Sequence, residues 1–154
     1  MIKKLFSQRF FRFPAYNLAI LVVDEKWDFN LYVNKIPYAI WDQDFDGVCY
    51  GTTVKSTTSW SSNKNLFIIS FRLLKRLTCE HKLLRSCIQF YCTEYDTMTA
   101  SSIEIEGGGL ICFGTNDPRE DAISGVLVGV TSLINVDLPS LHNRVGLYHR
   151  WVAD

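Results

Sequence analysis

The chain of 154 residues predicts an α+β fold, a single domain carrying an antiparallel β-sheet and two helices. Three observations lead there. Short apolar or alternating runs recur along most of the length and read as strands. Two stretches change to helical spacing, and no linker, repeat or low-complexity break divides residues 1–154. The residue types agree, since six alanines stand against abundant Ser, Thr, aromatic and β-branched residues that suit pleated surfaces.

Residues 1–16 hold Lys3, Lys4, Arg9 and Arg12 without an acid. They read as a basic N-terminal arm or first helical turn that packs Phe6, Phe10, Phe11 and Phe13 onto the domain. Leu18 to Val23 is a continuous apolar run closed by Asp24-Glu25-Lys26, the pattern of a central strand and a turn. It is too short for a secretory signal and far too short to span a bilayer. Strands are also predicted at Phe29–Asn34, at Ile36–Trp41 with Pro37 placing its start at a sheet edge, and at Val48–Val54. A polar loop follows over 55–65, and Leu66–Phe71 fits a further short strand.

Leucines at 73, 77 and 84 with Ile88 then recur at steps of four and seven, opposite Arg72, Lys75, Arg76, Lys82 and Arg85, which predicts a helix over 72–86. Cys87–Tyr95 reads as an aromatic-rich strand. Ser102–Glu106 alternates strictly, and Gly107-Gly108-Gly109 turns it into Leu110–Thr115 as a hairpin. Asp117, Pro118 and Glu120 look like the cap, first turn and capping box of a second helix, whose apolar stripe runs from Ile123 to Ile134, although a strand over Val126–Val130 is an alternative. Val145–Val152 closes the core as a short strand or helix.

The five cysteines, at 49, 79, 87, 92 and 112, are odd in number and lack a signal segment, which predicts free buried thiols in a reducing, cytoplasmic setting. Cys79, His81, Cys87 and Cys92 do not match a zinc spacing, so no metal and no cofactor is expected.

Sixteen basic residues balance sixteen acidic ones. That removes the electrostatic case for nucleic acid or an anionic membrane as partner. The balance is global and not local: acids outnumber bases six to two over 24–46 and seven to one over 94–121. Asp42-Gln43-Asp44-Phe45-Asp46-Gly47 meets the first half of a calcium-loop pattern, but its twelfth position is Thr53 instead of glutamate. A calcium-dependent module is therefore one alternative. The preferred reading takes Trp41, Asp42, Asp44, Phe45 and Asp46 as a partner-binding turn, with carboxylates steering and rings supplying contact area. Glu104 and Glu106 share a strand face, and Glu94 and Asp96 join it if Asp96 lies opposite Glu104. His81, His142 and His149 sit in no catalytic motif, so the chain reads as non-enzymatic, with a small His/carboxylate enzyme as the other alternative.

Tyr38-Ala-Ile-Trp41-Asp42 followed by the acidic aromatic turn resembles a strand-and-turn pattern in immunity proteins of bacterial contact-dependent growth inhibition and related polymorphic-toxin systems. The element order is similar to the Whirly-like arrangement of one such group. The resemblance implies a cytoplasmic monomer or weak dimer that binds a cognate protein toxin, commonly a nuclease, and occludes its active site. Its acidic face would stand in for phosphates.

Overall fold

The computed structural model describes residues 2–7, 11–56, 64–94, 107–135 and 137–153. The expected α+β sheet with two helices, Whirly-like or otherwise, is not what forms. The molecule is mostly β, and six antiparallel strands close into a barrel.

Among the described residues, β1 (Ile2–Ser7) and β2 (Ala19–Val23) pair only with each other. Residues 2–7 of the N-terminal arm thus form a strand, and most of the apolar run 18–23 lies in an outer ribbon that exposes Leu21, Val22 and Val23. The barrel consists of β3 (Val48–Ser56), β4 (Lys64–Leu74), β5 (Phe90–Glu94), β6 (Gly109–Phe113), β7 (Val126–Leu133) and β8 (Ser140–Arg144), closed in the order β3-β4-β5-β8-β7-β6. Its axis is filled by Ala39, Cys49, Phe71, Tyr91, Leu110, Cys112, Val126 and Val128.

Both helix expectations need correcting. Arg72, Leu73 and Leu74 pair with Glu94, Thr93 and Cys92, so β4 continues where the first helix was predicted to begin, and α1 covers only Arg76–Leu83. Leu77, Leu84 and Ile88 are exposed, and the residue α1 buries is Cys79. The predicted second helix is a turn and a strand. The Asp121 carboxylate accepts the N–H groups of Ile123 and Ser124, Gly125 takes φ +70°, and the chain enters β7. A strand buried on both faces is apolar almost throughout, and such a run also satisfies helical spacing; three valines at 126, 128 and 130 favour the extended form.

The segments predicted as strands at 29–34 and 36–41 belong to neither sheet, apart from one bridge between Tyr38 and Leu127. A 3-10 helix over Val145–Tyr148 and α2 (His149–Ala153) follow β8, so the closing segment is helical. The partner of the glycine-turn hairpin, 102–106, lies outside the described residues. Among those described, no helix is long and apolar enough to cross a membrane.

Four cysteines are not free. Cys49–Cys112 joins β3 to β6, and Cys79–Cys92 joins α1 to β5; Cys87 alone remains a thiol. The spacing hid this because Cys49 and Cys112 meet only where β3 pairs with β6, and Cys79 and Cys92 only where α1 packs on β5.

Candidate functional site: a cleft beneath the acidic aromatic turn

The segment before β3 is strapped across one end of the barrel by backbone and one buried carboxylate. Ala39 donates to the carbonyl of Leu127 and Leu127 to that of Pro37, each at 2.9 Å. Asp117, only 4% exposed, accepts the N–H groups of Ile40 at 2.9 Å and Trp41 at 3.0 Å through Oδ2, and that of Arg119 through Oδ1. The residue predicted to cap a helix therefore clasps this strap. A Cβ on Gly146 would lie 2.2 Å from the Trp41 carbonyl, so the strap seats directly on backbone.

The turn after Trp41 is held from below by a cation. Arg144 projects from β8 with its side chain 3% exposed; its Nε lies 2.7 Å from Asp42 and its Nη1 2.8 Å from Asp44. The guanidinium sits 4.4 Å from the centre of the Tyr91 ring, and the Tyr91 hydroxyl donates to the Gln43 carbonyl at 2.7 Å. Phe45 packs edge-on against the same ring. Burial pushes the Tyr91 phenol up to about 12, partly offset by Arg144. Burial works against the charge on Arg144, but Tyr91, Asp42 and Asp44 hold its ionisation above the ordinary value. Two of the three turn carboxylates thus converge on a cation of the protein itself, where the calcium reading required a metal ion.

Asp46 is exposed and, among the described residues, forms no ion pair. It lines two shallow clefts that meet at Asp46 and Leu73. One, of about 340 Å³, runs past Asp44, Phe45 and Tyr91 to Lys75, Arg76 and the exposed Leu77. The other, of about 830 Å³, runs past Val48 and Phe71 to Arg72 and Glu94. Glu94 pairs with Lys82 and Arg72, which hold its carboxyl below the ordinary range.

Of the residues expected to bind a partner, Asp44, Phe45, Asp46 and Glu94 line this joined groove, while Trp41 and Asp42 stand beside it. Asp96, Glu104 and Glu106 lie outside the described residues. The groove is not uniformly acidic, because Arg72, Lys75, Arg76 and Arg144 lie along or under it. Arg144 and Tyr91 went unnoticed in the sequence. Arg144 follows the polar Ser140-Leu-His-Asn143 and Tyr91 sits in an aromatic-rich run, so no local pattern marked either.

The imidazoles are placed elsewhere. His142 is fully buried between the Thr93 hydroxyl at 2.7 Å and the Thr131 hydroxyl at 2.9 Å, and burial lowers it to about 3. His149 stacks obliquely on Tyr38, and His81 is exposed on α1. Among the described residues no histidine forms an ion pair with a carboxylate.

Neither a family model nor a curated protein matches the chain. Solved structures do. An inactivated protease paralogue of the scabies mite is similar at TM-score 0.72 and 21% identity, over 100% of this chain and 67% of that one. Neuropsin, a serine protease expressed in the limbic system of mouse brain, is similar at TM-score 0.72 and 13% identity, over 99% of this chain and 69% of that one. The barrel resembles the trypsin-like serine protease fold. That likeness overturns the expectation of a non-enzymatic chain, which rested on missing motifs. In this fold catalytic groups are gathered from separated segments, so a linear motif search is a weak test. At these identities the fold is what is shared.

Proposed function

We propose that this chain engages polypeptides, as a domain of trypsin-like serine protease fold, and that it does so in the groove beneath the acidic aromatic turn. The observation that carries the reading is that Asp46 and Leu73 line both clefts. There a carboxylate with no ion pair among the described residues lies in one cleft lining with the Phe45 and Tyr91 rings and the exposed Leu77, and Arg72, Lys75 and Arg76 also line the two clefts. Such a surface suits an extended segment with a basic residue for Asp46, an apolar residue for Leu77 and Phe45, and an acidic residue further along. The likeness to a protease and to an inactivated paralogue of one agrees with polypeptide as the ligand class. A cognate toxin is one polypeptide such a face would take.

Two disulfides favour an oxidising compartment over the cytoplasm.

Selection of random-sequence peptides on the immobilised chain tests the proposal, followed by fluorescence anisotropy with an enriched peptide, intact or cleaved. Enrichment of a basic-apolar pattern is expected. Asp46→Asn should weaken it about three- to fivefold, the worth of one exposed ion pair, and Leu77→Ser about tenfold. No enrichment, or binding indifferent to both substitutions, contradicts the reading.

A further inference from the structure

Away from the groove, three sulfurs share one buried pocket. Cys79 comes from the middle of α1, Cys92 from β5 and Cys87 from the turn between them, and all three are buried. Phe90, Leu141, Ala15, Leu74, Leu83 and Leu133 enclose them. Cys79 and Cys92 are bonded, and the Cys87 thiol sulfur lies 3.2 Å from Cys79 Sγ. All three Sγ atoms fall within 4.8 Å of one another. A separation of about 3–3.5 Å is within the reach that attack requires.

We propose that Cys79, Cys87 and Cys92 form an internal thiol–disulfide exchange site. The Cys87 thiolate attacks Cys79 Sγ, the Cys79–Cys87 bond forms as Cys79–Cys92 breaks, and Cys92 leaves as a thiolate that takes up the proton Cys87 gave away. Nothing is oxidised or reduced overall, so no outside reagent is needed. The result is a staple that moves: α1 is tied either to β5, a barrel strand, or to its own following turn.

The surroundings hold the reaction in reserve. Burial raises the Cys87 thiol, the Glu80 carboxylate of α1 adds to the rise, and Arg85 of the turn works against it. Glu80 also accepts the Cys87 N–H at 3.0 Å, and the thiol faces the Arg85 carbonyl at 3.6 Å. Phe90 of β5 and Leu141 of β8 bring no charge. Exchange therefore quickens as the solution becomes more alkaline.

Disulfide mapping of the folded wild-type chain decides the matter. The chain is held at pH 6 to 9, quenched in acid, alkylated, digested and read by mass spectrometry. The expected result is two species, Cys79–Cys92 with free Cys87 and Cys79–Cys87 with free Cys92, approaching balance about tenfold faster per pH unit while Cys87 remains mostly protonated. Cys49–Cys112 should stay intact throughout. Finding Cys79–Cys92 alone, with Cys87 the one labelled sulfur at every pH, overturns the proposal. So does a Cys79–Cys87 bond that occurs only together with bonds to Cys49 or Cys112, which marks random scrambling. Cys92→Ser gives a second reading: in oxidised glutathione it should close Cys79–Cys87, and two thiols persisting in the folded variant would count against the site.

Discussion

Arg144 shows how one residue sets the behaviour of a whole turn. Its side chain is 3% exposed while those of Asp42 and Asp44 are 36% and 58% exposed, so the two ends of the cluster respond differently to substitution. Removing the carboxylates strands a desolvated cation; removing the cation leaves carboxylates that rehydrate. We therefore predict that Asp42→Asn with Asp44→Asn costs about 3–5 kcal/mol, more than Arg144→Met, in urea denaturation. The reverse ranking would mean that Asp42 and Asp44 do not offset the burial of the cation. His142 offers a second test at this scale. Its folded value of about 3 lies below the unfolded value near 6.5, so on acidification the unfolded chain binds a proton that the folded chain does not. Stability falls as pH drops from about 6.5 toward 3, by about 1.4 kcal/mol per pH unit from this group. Urea melts at pH 4, 5 and 7 should show that slope in wild type and its loss in His142→Gln; equal slopes would refute the buried neutral ring.

At the level of elements, the disulfides divide the work unequally. Cys49–Cys112 spans a sequence separation of 63 and fastens β3 to β6 where the barrel closes, whereas Cys79–Cys92 spans 13. Because a cross-link limits the unfolded chain more the longer its loop, replacing Cys49 and Cys112 by Ala should cost about 4 kcal/mol and replacing Cys79 and Cys92 about 3 kcal/mol. Chemical denaturation of the two double variants checks the order. Strand existence was legible where residue type decided it, as at Val48–Val54 and Leu66–Phe71, both of which fall inside β3 and β4. The second helix was overcalled for one reason. The run within Val126–Leu133 satisfies a helical period and a doubly buried strand equally well, and only the neighbouring strand settles which forms. Phe29–Asn34 has strand-like residues but, among the described residues, no strand pairs with it.

For the molecule as a whole, closure was invisible in the sequence. β5 pairs with β8 and β3 with β6, contacts between distant segments that no local pattern encodes. The cysteine pairing and the non-enzymatic reading failed with it, since both depended on what the fold brings together. The site fared better. Asp42–Asp46 was singled out on charge and rings, and the fold places that turn at the rim of the joined groove, but the buried Arg144 that organises it and the cations opposite came from segments read separately. The central claim, polypeptide binding in that groove, is tested most directly by mapping amide chemical shifts while titrating an enriched peptide into the folded chain. The account predicts shifts concentrated at Phe45, Asp46, Leu73 and Leu77, reduced in Asp46→Asn. Shifts confined to the exposed apolar ribbon of β1 and β2, with the groove silent, would contradict it.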